Sequence, residues 1–252
     1  MGGEWVEPWE WSTGDLITAE RLNRVNTNLR WLKQKLEEAP PGAGANTILE
    51  ALQRFKGIWW FNNNWAPAGL LDSDTYGSGT IAWNNWGVML DTGTTLDSYA
   101  YVCKDAYGLY ANPTWDKKRW LSALVAFSTV SAQNVHLTMG EAPRTGATNQ
   151  GWHIGFKLIG ADLYGTVGYG GIAESTLLLE TLTGACVRTL ECVLTPGVEC
   201  RFYVDGVDKG AITTNLPYGT TTAYRMLMAA IHNTEAASKQ VYILEWRVFQ
   251  EE

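Results

Sequence analysis

The chain has no cysteine pair in CxxC spacing, few charged residues and only three histidines. Structural zinc sites usually open with a close cysteine pair, so Cys103, Cys186, Cys192 and Cys200 suggest no zinc. A domain of this size can build a core without disulfides, which makes buried free thiols the default expectation. No stretch approaches the 18 or more apolar residues of a membrane helix; the run 121–127 is strand-sized. Residues 1–11 show no basic region followed by an apolar core, so no conventional secretion signal is expected. Charged residues make up 18% of the chain, and 19 Lys and Arg against 26 Asp and Glu leave a net charge of -7. That balance keeps a particle soluble and argues against a general binder of nucleic-acid phosphates.

What is abundant is turn-forming and aromatic. Twenty-six Gly, 13 Trp and 11 Tyr, with many Thr and Asn, favour an all-β protein over a helical one. Short apolar or alternating runs predict strands at 57–61, 80–90, 98–103, 120–129, 135–139 and 152–159. Others follow at 162–169, 176–182, 187–194, 199–205, 224–231 and 241–249. Turn signals at Asp72-Ser73-Asp74, Asp91-Thr92-Gly93 and Thr195-Pro196-Gly197 separate them. About twelve short strands without long intervening helices indicate a β-sandwich over residues 56–252. Between 187–194 and 199–205, a three-residue loop sets Cys192 opposite Cys200, while a tighter Pro-Gly turn sets Val193 there. The register, and with it a Cys192–Cys200 bridge, stays open.

Residues 1–38 read differently. An extended arm carries Trp5, Trp9 and Trp11 among acids, and Thr18 caps a helix running to about Glu38. Leu22, Val25, Leu29, Leu32 and Leu36 alternate in steps of three and four, a narrow coiled-coil-like seam. Such a stripe must be buried, either on the chain's own domain or against sister chains or a larger assembly. Residues 39–55 are a Pro/Gly linker, Ala39-Pro40-Pro41-Gly42, followed by a short helical stretch.

Two stretches carry resemblances. Gly151-Trp152-His153-Ile154-Gly155-Phe156-Lys157 with Asp162-Leu163-Tyr164-Gly165-Thr166-Val167 resembles the middle of a concanavalin-like or laminin-G-like jelly roll. So does Phe202-Tyr203-Val204-Asp205-Gly206, followed by Asn215-Leu216-Pro217. Trp11-Ser12-Thr13-Gly14-Asp15-Leu16-Ile17-Thr18-Ala19-Glu20-Arg21-Leu22-Asn23 is similar to the opening of many tailed-bacteriophage structural proteins. The first resemblance implies a jelly-roll fold. The second implies a homotrimer on a capsid or tail, with sugars as possible targets.

The chemistry read from the residues is sparse. His136, His153 and His232 are far apart in sequence, and a polar or interface role suits them better than catalysis. No HExxH, GxSxG or phosphate-binding loop is present. Jelly-roll glycosidases use paired carboxylates, but Glu174, Glu180, Glu191, Glu199 and Glu245 form no Glu-x-Asp-x-x-Glu set. Trp60, Asn62, Asn64, Trp65, Trp83 and Trp86 combine flat rings with amides and suit sugar stacking; core or interface packing is the competing reading. Asp205 and Asp208 are weak calcium candidates, and Asp205-Gly206 is more simply a hairpin turn.

The expectation is therefore a mainly-β jelly-roll sandwich preceded by an extended arm and one amphipathic helix. It describes a non-enzymatic phage virion surface protein, made in the host cytoplasm and displayed on capsid or tail. No cofactor, nucleic acid or membrane is expected. Trp5, Trp9 and Trp11 would anchor it, the Leu22-to-Leu36 seam would make a homo-oligomer, and host glycans are possible targets. A soluble carbohydrate-binding module is the alternative, and a glycoside hydrolase a weaker one.

Overall fold

The structure is a computed structural model that describes residues 59–61, 72–84, 87–105, 114–128, 130–140, 151–171, 174–220 and 225–250. All of these fall in the unit Gly57–Glu252. The arm, the helix and the linker, with Trp5, Trp9, Trp11, Leu22, Val25, Leu29, Leu32 and Leu36, lie outside the described residues.

The described residues form fifteen strands and no helix. In chain order these are β1 (Trp59–Phe61), β2 (Asp72–Tyr76), β3 (Thr80–Asn84), β4 (Gly87–Asp91), β5 (Tyr99–Asp105), β6 (Arg119–Phe127), β7 (Gln133–Gly140) and β8 (His153–Ile159). There follow β9 (Asp162–Gly168), β10 (Ser175–Thr181), β11 (Cys186–Thr195), β12 (Glu199–Val204), β13 (Val207–Ile212), β14 (Arg225–Asn233) and β15 (Gln240–Gln250). They assemble two sheets, paired antiparallel throughout: β13-β12-β11-β6-β15-β4-β3, with β1 also on β15, and β10-β9-β8-β7-β14-β5-β2. Neighbours in space that are distant in sequence, such as β6 beside β15 and β7 beside β14, give the jelly-roll sandwich expected from the sequence.

The core lies between the two sheets. Leu121, Ala123, Val125 and Phe127 of β6 alternate inward, as do Ile154, Phe156 and Leu158 of β8. Phe156 and Phe202 meet edge to face across the layers, ring centroids 5.7 Å apart. Gly165 makes room for that pair: a Cβ there would sit 2.6 Å from the Phe202 ring. On β15 the register shifts between Ile243 and Glu245. This bulge inverts the alternation, so Val241 and Ile243 are buried before it and Trp246 and Val248 after it. Glu245 and Arg247 consequently share the outer side and pair with each other, Nε to Oε1 at 2.7 Å.

Several expectations are corrected. The run 80–90 is a hairpin rather than one strand, since Asn84 pairs with Gly87. Asp72-Ser73-Asp74 begins β2 instead of a turn; aspartates suit this strand because it is the outer edge of its sheet. The strand β13 follows a two-residue Asp205-Gly206 turn, both residues at positive φ, and raises the strand number above twelve. Between β11 and β12, Thr195 pairs with Glu199, so neither expected register holds: Leu194 stands opposite Cys200, and Cys192 opposite Phe202. All four thiols are free, Cys186 half-buried and the others buried.

Candidate functional site

At the centre of the seven-stranded sheet little of either face is in water. Every position of β7 is buried, and β8 is buried from His153 to Leu158. The face turned from the core is polar, and strand registers arrange it in cross-strand rows. One row runs Thr166, Gly155, Thr138, Met228, Cys103. The next runs Tyr164, Lys157, His136, Ala230, Tyr101, Asp74. A third runs Asp162, Ile159, Asn134, His232, Tyr99, Tyr76. His153 stands beyond the first row, between Gly140 and Gly168. The fold thus brings to one face all three histidines, which are separated in sequence. Sequence reading missed this because it depends on register across three strands, β8, β7 and β14.

The most enclosed polar group centres on Glu174, just before β10. Its carboxylate accepts from Lys157 Nζ and from the Thr166 hydroxyl, and lies 3.4 Å from His153 Nε2. Burial raises the Glu174 carboxyl, but the hydrogen bonds from His153, Lys157 and Thr166 and the lysine charge outweigh it and hold it at about 2. His153 Nε2 also lies 3.0 Å from Thr166 Oγ1, and its Nδ1 lies 2.8 Å from the Gly151 carbonyl oxygen. Gly168 is required beneath the ring, since a Cβ there would come within 2.7 Å of His153 Cε1.

At the other side of the face, Asn134 Nδ2 lies 3.4 Å from His232 Nδ1, and His232 Nε2 lies 3.5 Å from Asp97 Oδ1. Burial pulls the His232 pKa down and Asp97 opposes it, the net direction being downward. Tyr99 stacks on Tyr76 with centroids 5.6 Å apart and planes at 17°. A second aromatic group, Trp152, Tyr169 and Tyr218, stands at the His153 end with centroids 5.1 to 6.0 Å apart.

The aromatic residues singled out in the sequence are placed elsewhere. Trp83 lies on β3, the edge of the eight-stranded sheet, opposite Val88 and 37% exposed. Trp60 lies on β1, opposite Arg247 of β15. Both therefore belong to the other sheet. Asn62, Asn64, Trp65 and Trp86 lie outside the described residues. Asp205 accepts the Thr189 N–H at 2.8 Å, and Asp208 accepts the Gly210 N–H at 2.8 Å and Arg201 at 2.7 Å. Both carboxylates thus hold the β12–β13 hairpin, and no group of metal-ligating side chains is present among the described residues. Of the other acids considered for hydrolysis, Glu180 pairs with Arg188 and Glu199 with Arg201. Glu191 shares a cross-strand row with Ser122 and Arg247.

The fold is a jelly-roll β-sandwich of two antiparallel sheets. Neither a protein-family model nor a curated protein sequence matches the chain. Solved structures do match it in fold. A structure of botulinum neurotoxin type C aligns with TM-score 0.54 at 10% identity, over 81% of this chain and 50% of that one. A β-glucanase of Bacillus licheniformis gives TM-score 0.55 at 13% identity, over 78% and 99%. A protein of unknown function from Shewanella oneidensis MR-1 gives 0.53 at 10%, over 84% and 97%. The chain spans about half the length of the neurotoxin structure. Identities this low establish likeness of fold alone.

Proposed function

We propose that the chain is a non-enzymatic bacteriophage virion surface protein whose β-sandwich contacts host glycans and stabilises the particle. The observation that carries the glycan reading is the stacking of exposed Tyr76 on half-buried Tyr99, with carboxylates nearby, at the margin of the seven-stranded sheet. Sugars offer apolar C–H faces to rings and hydroxyl hydrogens to carboxylates. The fold is compatible with such work: the neurotoxin type C neighbour depends on interaction with two ganglioside molecules to reach the cell interior. The β-glucanase neighbour raises hydrolysis as a competing use of the same fold. Glu174 itself does not suit the general acid of a glycosidase, which must be kept protonated, because a lysine and two further donors hold it ionised.

The virion part of the reading rests on the phage-like opening from Trp11 to Asn23 and on the Leu22-to-Leu36 seam. In this reading Trp5, Trp9 and Trp11 dock into other virion proteins, the seam joins three copies, and the Pro/Gly linker gives the sandwich clearance. Light scattering on the full-length protein tests it. A mass near three chains, reduced to one by Leu29→Glu with Leu32→Glu, is the expected result. A monomer at every concentration that nonetheless binds glycans favours the soluble carbohydrate-binding module, and a monomer that binds none removes both readings.

A further inference from the structure

The exposed aromatic rings of the described sandwich are not equivalent as sugar platforms. Trp152, Tyr169 and Tyr218 meet edge to face or tilted, with interplanar angles of 59° to 64°, so each ring presents an edge to its neighbour's face. Trp83 lies on β3, at the edge of the other sheet. Tyr76 differs. One face lies nearly parallel on Tyr99, and the residue is 60% exposed, which leaves a flat ring toward solvent with its orientation fixed from behind. Tyr99 continues the stack inward to Tyr101, centroids 6.4 Å apart.

Two carboxylates bracket this stack. Asp74, two residues before Tyr76, accepts the Tyr99 hydroxyl at 3.4 Å and the Thr75 N–H at 2.9 Å. Asp97, two residues before Tyr99, has a side chain 70% exposed, with one oxygen toward His232. Its backbone adopts φ +61°, a left-handed conformation uncommon outside glycine. Within the two rows at this margin, β2, β5 and β14 contribute Asp74, Tyr101, Ala230, Tyr76, Tyr99 and His232, and no lysine or arginine.

From this arrangement we infer that the Tyr76 ring, with Asp74 on the Tyr99 hydroxyl behind it and Asp97 at the His232 end of the same row, is the glycan subsite, and that it takes a neutral or amino-substituted pyranose rather than an acidic one. The inference rests on the glycan-contact reading above and names its place and ligand class. The sugar's C–H face lies on Tyr76. Its hydroxyl or ammonium hydrogens are accepted by the carboxylates, which would repel a uronic or sialic carboxylate.

Isothermal titration of the full-length protein with cellotetraose, a chitosan tetramer and 3′-sialyllactose, alongside a broad glycan array, tests this. The expected result is binding of a neutral or amino sugar, weakened about tenfold by Tyr76→Ala. Asp97→Asn should weaken it as well, while Tyr218→Ala, an exposed ring outside the subsite, should leave it unchanged. Both Tyr76 and Asp97 are exposed, so neither variant threatens the fold, and circular dichroism verifies that. Binding that survives Tyr76→Ala, or a preference for 3′-sialyllactose or other acidic glycans, overturns the subsite while leaving a glycan-binding protein. No binding to anything on the array overturns the subsite and the glycan reading together.

Discussion

Lys157 and Glu174 form an ion pair almost sealed from water, their side chains 9% and 3% exposed, although they sit on the face of the sheet turned away from the core. The pair joins β8 to the segment entering β10, across the intervening β9, which contributes Thr166 to the same carboxylate. Removing Glu174 takes from the buried Lys157 ammonium the carboxylate with which it pairs. Glu174→Gln should therefore destabilise the sandwich by about 3–5 kcal/mol at neutral pH, read from urea unfolding. The double variant Glu174→Leu with Lys157→Met should recover most of that loss, because it removes both desolvation costs. A single variant as stable as wild type would show that the pair is open to water.

The same carboxylate gives a pH signature. Its folded value of about 2 lies below the ordinary 4.5, so the unfolded chain takes up the proton first on acidification. The stabilisation is complete above about pH 4.5 and is lost as pH falls toward 2, by at most about 3 kcal/mol. Subtracting the stability curve of Glu174→Gln from that of wild type should expose this step. A difference curve flat from pH 6 to 2 would contradict the geometry.

How far the sequence revealed this arrangement depended on the kind of contact. Strands with clean alternation, such as Cys200, Phe202 and Val204, were legible because one face is core and the other is not. The β3–β4 hairpin was not, because the two residues of the sequence between Asn84 and Gly87 include no glycine or proline. Strand β2 was hidden by a turn-like composition that also serves an edge. The Cys192–Cys200 register failed because a three-residue loop closing on Thr195 and Glu199 sets Leu194, not Cys192, opposite Cys200. Glu174 was noticed only as one acid among five. Its lysine, histidine and threonine come from β8 and β9, and nothing local in sequence ties them to the segment before β10.

The thiols provide a test of the corrected register. Cys192 and Cys200 are buried in the core, and burial raises the Cys200 thiol well above its ordinary range. Cys186 is half-buried at the start of β11, its thiol raised mainly by desolvation. Iodoacetamide at pH 8 should label Cys186 slowly in the native protein and leave Cys103, Cys192 and Cys200 untouched. All four should react in urea without reductant. A Cys192–Cys200 pair that stays unlabelled in urea until reduced would mean a disulfide and would overturn the free-thiol assignment.

Arg119 poses the opposite problem to Glu174. It is buried at the start of β6, over the Trp115 ring with its guanidinium carbon 4.4 Å from the centroid, and bonds the Thr114 carbonyl. Among the described residues its Nε has no hydrogen-bond partner; Nη1 lies 3.3 Å from Met139 Sδ, and Asp116 attracts the charge without an ion pair to it. A buried cation without a paired carboxylate costs more than an apolar side chain of similar length. Arg119→Met should thus be neutral or stabilising by about 1–2 kcal/mol. A loss of more than about 2 kcal/mol would show that the guanidinium's bonds to Thr114 and Trp115 outweigh its desolvation.

The contact between Gly165 and Phe202 can be tested as a pair, because each explains the other. Gly165 lies on the core side of β9, where a Cβ would enter the space of the Phe202 ring from the opposite sheet. The ring cannot retreat, since its edge already meets Phe156. Gly165→Ala should therefore cost about 1–3 kcal/mol through overpacking, even though alanine is the better strand residue in conformational entropy. Phe202→Leu alone should cost about 1 kcal/mol for the lost ring volume. Combined, the two should cost less than their sum by at least about 0.5 kcal/mol, because the smaller leucine yields the space the new methyl group needs. Strict additivity would mean that the two sheets separate locally to admit the methyl group, and that this part of the core is less rigid than its packing suggests.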